Sequence, residues 1–332
     1  MRTKLFSILS AACLALTIVP AAHATLTSFK SFVGHVGVST DGFGSTSNDG
    51  TISAQVPVGA TVLGAYLYSA TFGQSPTLGT VTLNGTAVNF DHVVTNDIPP
   101  SLPAYFRTGR SDVTSIVAPI INGGPGGIYN FNVTESLGNT DGEALVVVYS
   151  LDSLPQSSVG ILDGGAALGG DTTSINFADP LDPTAPGFFA EMRIGDSFSC
   201  CGQKSVIKVN GTTITENAGN NDDGDAVANG ALITVGGFDD PFSPLNPGYD
   251  EDHERYNLVP QITKGDTSIS VFTQNPSNDD NIFLAVFAVS GNAGFNEPPP
   301  TEQPPAAVPE PGTLFLLGSG FAVLAWWKQK QA

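Results

Sequence analysis

The residues best suited to bind a metal ion form a short acidic loop in the second half of the chain. Asp222, Asp223 and Asp225 lie in the segment 220–225, together with two asparagines and a glycine. Calcium takes about six to eight oxygen ligands, and loops of Asp and Asn with a glycine bend can supply them. The full EF-hand pattern is absent, since no glutamate stands at the required distance. The loop is either a calcium site or a solvated turn, and calcium is the one candidate cofactor.

A second acidic segment, 250–254, reads Asp-Glu-Asp-His-Glu and follows Asp239 and Asp240. It can complete the same calcium site, form a site of its own, or be a solvated acidic loop, which is the interpretation we favour. A third acidic pair at 279–280 has a counterpart in Asp141. We interpret these residues as parts of tight turns, because Asp side chains hydrogen-bond the backbone of turns.

Two adjacent cysteines, Cys200 and Cys201, are the other candidates for chemistry. Exported proteins normally pair their cysteines. Neighbouring Cα atoms lie about 3.8 Å apart, below the usual range of about 4.4–6.8 Å, so a bridge between them is strained. We expect a vicinal disulfide that forms a rigid turn; free or cross-linked thiols and metal ligation are the alternatives.

Catalytic motifs are scarce. His35, His92 and His253 are not in an H-E-x-x-H arrangement, and the chain has no G-x-S-x-G elbow, phosphate-binding loop or dinucleotide-binding glycine pattern. With 31 acidic residues, sequence alone cannot pick out a carboxylate pair for glycoside hydrolysis. We therefore predict that the protein is not an enzyme, with a secreted glycan hydrolase or lyase as an alternative.

The elements that would carry these residues are strands. Short apolar runs recur between turn residues, which is typical of a mainly β fold of the β-sandwich or jelly-roll type. Three nearly continuous apolar runs predict central strands, at 62–71, 144–150 and 282–289. Asn84-Gly85 and Asn210-Gly211 predict tight hairpins. One short helix is expected near 112–121, kept short by Pro119.

The chain divides into several parts. A similar order of hairpin, strand and acidic turn in both halves predicts two related strand bundles, each a β-sandwich domain or half of one, at 25–164 and 165–293. A proline-rich linker at 294–307 is expected to form an extended spacer.

The N-terminus has the pattern of a signal peptide. Arg2 and Lys4 precede an apolar run at 5–19, and Ala22-His23-Ala24 is an A-x-A cleavage site. We predict a signal peptide at 1–24, cut between Ala24 and Thr25. The chain would then be exported through the inner membrane.

The C-terminal tail at 308–332 has three parts. A motif of four residues is followed by an apolar segment at 314–327 and two lysines; the motif is Val308, Pro309, Glu310 and Pro311. The apolar segment is roughly 21 Å long as a helix, a marginal transmembrane span for a bilayer core of about 30 Å. This tail resembles the PEP-CTERM sorting signal of Gram-negative bacteria. The resemblance implies removal by an exosortase, whereas a permanent anchor is the alternative.

The first half also resembles a non-enzymatic domain of repeat-rich bacterial surface proteins. The resemblance extends from Ala60 to about Asp163, and its motifs are at 64–68, 81–85, 112–114 and 141–149. It implies an extracellular or adhesin-like context.

Charge limits the possible partners. Between Thr25 and Pro311, eight basic residues stand against 31 acidic ones, a formal charge of −23. Such a surface repels the phosphates of nucleic acids and anionic lipids and attracts cations. We therefore exclude nucleic-acid binding and expect membrane contact only through the C-terminal segment before it is cut.

These observations predict an exported, non-catalytic protein of the cell envelope, with a structural or adhesive role at the cell surface or in the exopolysaccharide matrix of a biofilm. Its expected partners are the exosortase, and exopolysaccharide or other surface proteins. The main alternative is a calcium-dependent, lectin-like polysaccharide-binding module.

Overall fold

The computed structural model describes residues 25–73, 78–95, 105–136, 140–198, 205–219, 223–224, 232–276 and 281–300. The predicted signal peptide, the cysteine pair and the sorting tail lie outside these residues. No helix in the described part of the chain is long and apolar enough to cross a membrane.

The described residues form twenty strands, one α-helix and two short 3-10 helices. The strands are β1 Thr27–Gly34, β2 Val36–Gly44, β3 Asp49–Val56, β4 Thr61–Gly73, β5 Val81–Leu83, β6 Thr86–Val88, β7 His92–Thr95, β8 Tyr105–Asp112, β9 Gly127–Glu135, β10 Thr140–Ser150, β11 Ser157–Asp163, β12 Asp171–Phe177, β13 Ala190–Ser197, β14 Ser205–Val209, β15 Thr212–Ala218, β16 Ile233–Val235, β17 Arg255–Asn257, β18 Ser268–Gln274, β19 Asn281–Ser290 and β20 Ala293–Phe295. The helices are α1 Thr114–Ile121 and the 3-10 turns Tyr249–Glu251 and Val259–Gln261.

The strands pair antiparallel in four sheets. Sheet I has the order β3-β9-β5-β6, and sheet II has the order β2-β10-β4-β8-β7. Sheet III has the order β1-β11-β19-β13-β16, with β17 also paired to β13, and sheet IV has the order β15-β14-β18-β12-β20.

Three hydrophobic cores hold the sheets in a stack of four layers. One core lies between sheets I and II, a second between sheets II and III, and a third between sheets III and IV. Along β10, Leu145 and Val147 belong to the first core, whereas Val146 and Val148 belong to the second. Since alternate side chains of a strand point to opposite faces, the two inner sheets are buried on both faces.

The mainly β prediction is confirmed, and so are its central strands. Continuous apolar runs at 62–71, 144–150 and 282–289 fall in β4, β10 and β19 of the two inner sheets. The hairpins β5–β6 and β14–β15 turn at the two predicted Asn-Gly pairs, where every φ angle is positive, between 48° and 81°. These are the angles that a two-residue type I′ turn requires. The helix α1 lies within the predicted range.

The two halves of the chain share sheet III. Its strands β1 and β11 precede residue 164, yet β11 pairs with β19, which follows it. The N-terminal strand therefore completes the layer that separates the second core from the third. The division into units at 25–164 and 165–293 stays a prediction.

Candidate functional site

The candidate site lies where the edges of three sheets meet. β3, β2 and β16 are edge strands of sheets I, II and III. The segment 236–240 follows β16 and runs along β2: Thr40 Oγ1 donates to the carbonyl oxygen of Gly236 at 2.6 Å, and the Phe238 N–H donates to the Thr40 carbonyl at 2.9 Å. This arrangement covers the free edge of β2 and brings acidic residues from separate parts of the chain together.

Asp41 is the carboxyl that β2 contributes. Its side chain is 9% exposed, and its Oδ2 accepts the Ser53 backbone N–H at 2.5 Å. Burial raises the pKa of Asp41 to about 7, and the charges of Asp239 and Asp240 add to the increase, although the Ser53 hydrogen bond opposes it. The buried side chain is therefore close to half protonated at neutral pH.

Asp239 and Asp240 face Asp41 across Gly237. A Cβ atom on Gly237 would lie 2.7 Å from Asp239 Oδ1 and 3.2 Å from Asp240 Oδ2. The same position is 3.7 Å from Asp41 Oδ1. The Gly237 N–H donates to Asp240 Oδ2 at 2.6 Å. Burial raises the pKa of Asp240, and the Asp239 charge adds to the shift.

Asp223 joins this group from the predicted calcium loop. Its N–H donates to the Ile233 carbonyl at 3.1 Å, and its Oδ2 accepts the Val235 N–H at 2.6 Å. The carboxylate rests on Gly42, where a Cβ atom would overlap it. Although the residue as a whole is exposed, its carboxylate is enclosed by β2 and β16. This burial raises the pKa of Asp223 well above its usual value, and the charges of Asp240 and Asp41 raise it further.

We call Asp41, Asp223, Asp239 and Asp240 the edge acidic cluster. A histidine and an arginine lie beside it. His253 Nδ1 is 4.0 Å from Asp240 Oδ1, and Arg255 donates through Nη1 to the Asp240 carbonyl at 2.9 Å. The Arg255 guanidinium also bonds Glu191 through Nε and Nη2, so its charge is shared. The mutual repulsion within the cluster can be relieved by protonation or by a bound cation.

The structure tests whether the described carboxyls fit a metal ion. Among the described residues, no group of three or more His, Cys, Asp and Glu side chains could hold one. Asp222 and Asp225, the other members of the predicted calcium loop, lie outside the described residues, as do Cys200, Cys201, Ala24 and the sorting motif. The edge acidic cluster as described is a proton-binding group, and calcium at the 220–225 loop stays a prediction.

Asp41 is the member of the cluster that the sequence analysis missed. It is about 180 to 200 positions from its partners, and only its place inside an otherwise uncharged strand, β2, marks it as unusual. Asp223 does lie near Asp239 and Asp240, which the sequence analysis gave only as an alternative to a solvated acidic loop. A strand edge, rather than a single loop, brings them together.

The acidic segment 250–254 is not a simple solvated loop, and that interpretation is wrong for two of its residues. Asp252 is fully buried and accepts hydrogen bonds from Ser243 Oγ and Tyr256 Oη, each at 2.9 Å, and a further bond from Thr215 Oγ1. Glu254 is 1% exposed and accepts from Thr234 Oγ1 at 2.7 Å and from the Gly219 N–H at 3.0 Å. These two carboxyls tie β15, β16 and β17 together. The remaining acids of the segment, Asp250 and Glu251, are exposed.

Four of the open cavities that the described residues form bear on this question. The largest of these four, about 400 Å³, is lined by apolar side chains together with Thr80, Asn89 and Arg107. A cavity of about 180 Å³ contains two carboxyls, Asp179 and Asp182. Hydrogen bonds from Lys264 and Thr184 lower the pKa of the exposed Asp182 to about 2. Asp182 is therefore ionised at neutral pH and is not suited to donate a proton there.

Most aromatic residues that could have formed a sugar-stacking surface are buried. Tyr66, Tyr68, Phe106 and Tyr256 are each at most 5% exposed. Phe242 is the clearest exposed aromatic, at 46%, and its ring stacks against the Arg255 guanidinium, 4.5 Å from the ring centroid. These four buried rings therefore belong to the interior and not to a binding surface.

Comparison with known proteins identifies the tail. Residues 307–330 match the PEP-CTERM protein-sorting motif, which confirms the resemblance of the tail. The chain is thus an exosortase substrate: an exported protein that is placed at the cell surface or outside the cell after processing. The motif shows that the protein is exported and processed. It does not define what residues 25–300 do.

Other similarities are weak. No curated protein matches the chain. The crystal structure of BuGH86wt in complex with neoagarooctaose is similar at 12% identity and TM-score 0.24, over 76% of this chain and 34% of that one. The mavirus major capsid protein is similar at 8% identity and TM-score 0.19, over 89% and 94%. The β-porphyranase BpGH86A of glycoside hydrolase family 86 from Bacteroides plebeius is similar at 9% identity and TM-score 0.14, over 82% and 36%.

The chain thus spans about a third of the length of BuGH86wt and of the β-porphyranase. The low TM-scores carry no conclusion about activity. These matches include no bacterial surface-protein domain, so the resemblance of the first half stays a prediction.

Proposed function

We propose that the mature protein is a non-catalytic structural or adhesive component of the cell surface or of the exopolysaccharide matrix. This proposal rests on how the fold uses its buried carboxyls. Asp252 and Glu254 bond neighbouring strands, and Asp163 joins sheets II and III by accepting from Tyr68 Oη at 3.1 Å and pairing with Arg110. Carboxyls used in this way stabilise a rigid body and are not offered to a substrate.

The stack of sheets supports the same role. Both inner sheets are buried on both faces, and a shared sheet III joins the two halves of the chain. A protein that bears load or spaces polymers needs such continuity between its layers. The proline-rich segment that begins near residue 298 would space this body from the membrane until the exosortase removes the tail.

A calcium-dependent polysaccharide-binding module is the second candidate. The edge acidic cluster supports it, since a cation there could bridge the protein to acidic sugars. The burial of Tyr66, Tyr68, Phe106 and Tyr256 counts against it, because lectins of this kind stack sugars on exposed rings. A glycan hydrolase or lyase has less support. Three of the four cavities have no carboxyl among their lining residues, and Asp182 in the fourth is ionised at neutral pH.

Deletion of the gene in its host tests the leading proposal. We expect exopolysaccharide of normal chain length that is retained less well on the cells, with retention restored by the wild-type gene. The matched control is a gene truncated after residue 307, which should not restore retention. An increase in polysaccharide chain length in the deletion strain would instead identify a lost cleaving enzyme and contradict the proposal.

A further inference from the structure

A second group of buried oxygens lies at one end of the core between sheets I and II. In the register of β4 and β10, Ser69 is opposite Glu143 and Thr71 is opposite Thr140. Residues directly opposite in an antiparallel pair share a face, and so do residues two apart on one strand. The four side chains therefore lie on one face of sheet II. Leu67 and Leu145 lie on the same face and belong to the first core, between sheets I and II.

Glu135, at the end of β9, meets this face from sheet I. The carboxyls of Glu135 and Glu143 lie close together. Ser45 Oγ donates to Glu135 Oε1 at 2.5 Å, and Ser69 Oγ donates to Glu143 Oε1 at 2.9 Å. Within the described part of the chain, no group donates to Glu143 Oε2. Two ionised carboxyls this close repel each other, and either a proton or a bound cation relieves that repulsion.

The hydroxyls of Thr71 and Thr140 are an independent sign that something is bound. Thr71 is fully buried and Thr140 is 6% exposed, and neither Oγ1 atom has a hydrogen-bond partner. A buried hydroxyl without a hydrogen-bond partner is unfavourable, because it has lost its bonds to water. Both hydroxyls share the face that carries Glu143, so they point towards the same space as the two carboxyls.

One protein cation, Arg107, is opposite Thr71 on β8 and so shares this face. No ion pair joins it to Glu135 or Glu143 among the described residues. Burial raises the pKa of Glu143 well above its usual value, and contact with Glu135 raises it further.

We propose that Glu135, Glu143, Thr71 and Thr140 form a binding site for a hard divalent cation, calcium in particular. Every donor is an oxygen, as calcium requires, and two carboxylates balance its charge. The serines at 45 and 69 are within reach as further oxygen ligands. This site is separate from the edge acidic cluster, and the inference holds whether or not the mature protein binds polysaccharide.

We expect the secreted protein to unfold at a higher temperature in calcium than in chelator, because an ion that binds only the folded state stabilises it. Titration calorimetry should report calcium binding to the folded protein. Glu143→Gln copies the protonated acid in shape. It should fold normally in chelator but bind calcium at least about tenfold more weakly.

Two further variants make the test specific. Thr71→Val keeps the shape of threonine without the hydroxyl, and it should weaken calcium binding. Asp223→Asn, in the edge acidic cluster, should leave it unchanged. The proposal is overturned if the wild-type protein shows no calcium-dependent shift, or if Glu143→Gln keeps the full shift. A shift abolished by Asp223→Asn alone would place the ion in the edge acidic cluster and would equally overturn it.

Discussion

Asp41 links the stability of the fold to pH through a single carboxyl. Its pKa is 3.8 when unperturbed and about 7 in the folded protein. Between these values the folded state binds more protons than the unfolded state, so the free energy of unfolding falls as pH rises, by at most about 1.4 kcal/mol per pH unit. The stabilisation is complete below about pH 4 and is lost above about pH 7.

Asp41→Asn should remove this dependence. The amide oxygen can still accept the Ser53 N–H, and no charge develops as pH rises. We expect the variant to be more stable than the wild type at pH 8, with a flatter stability profile between pH 5 and 8 in urea denaturation. Asp250→Asn, at an exposed site, is the control and should follow the wild type. Parallel profiles for Asp41→Asn and the wild type would show that Asp41 has an ordinary pKa.

Gly42 is a second residue whose identity the structure explains. A methyl group there would overlap the Asp223 carboxylate, so Gly42→Ala should lower stability by about 1–3 kcal/mol. Gly169→Ala is the matched control, because nothing lies within 4 Å of a Cβ atom at Gly169. Adding Asp223→Ala to Gly42→Ala should recover part of the loss. Equal effects of the two glycine substitutions in thermal denaturation would contradict this account.

At the scale of elements, the core between sheets II and III makes the stack continuous. Phe283 of β19 is fully buried in this core, with its ring centroid 6.1 Å from that of Tyr68 in β4. Phe283→Ala should therefore destabilise the protein by about 3–5 kcal/mol. The exposed Phe242 serves as the control, and Phe242→Ala should change stability by less than about 1 kcal/mol. A comparably small loss for Phe283→Ala in urea denaturation would mean that the two sheets do not depend on each other.

The elements divide into those that the sequence could predict and those that it could not. The strands β4, β10 and β19 were predictable because burial on both faces leaves a continuous apolar run. The Asn-Gly turns were predictable because they are local. The pairing of β11 with β19 is not local, and it depends on which layers stack, so no short pattern encodes it.

The same reasoning explains the candidate sites. The loop at 220–225 was recognisable because its acids are adjacent in sequence, whereas Asp41 joins them only through the meeting of strand edges. Glu135 and Glu143 are eight positions apart, on strands of two different sheets. Their contact follows from the packing of sheet I on sheet II, which the sequence analysis did not predict.

At the scale of the whole molecule, the tail should decide where the protein is found. In a host that contains the exosortase, we expect an intact mass that begins at Thr25 and lacks the segment from about residue 312 onward. In the same host without the exosortase, the tail should remain and hold the protein in the membrane fraction. If protein in the culture medium of the unmodified host still carried the full tail, removal of the tail by the exosortase would be contradicted.

The large negative charge, −23 between Thr25 and Pro311, suits a protein that works among hydrated polymers outside the cell. Its carboxyls are of three kinds. Many are exposed, and a second kind, such as Asp252 and Glu254, bonds neighbouring strands. Those of the edge acidic cluster and of the Glu135–Glu143 pair are crowded together, and on our proposal they respond to protons or cations. The proposed matrix role therefore predicts a body whose rigidity depends on pH and calcium.

One measurement tests the central claim most directly: size-exclusion chromatography of the host's exopolysaccharide after incubation with the mature protein, with light scattering to report polysaccharide length. We predict that the protein co-elutes with the polysaccharide and that the polysaccharide length does not change. Shortened polysaccharide would reveal an enzyme and contradict the claim. Separate elution with unchanged length would exclude a direct role in the exopolysaccharide matrix.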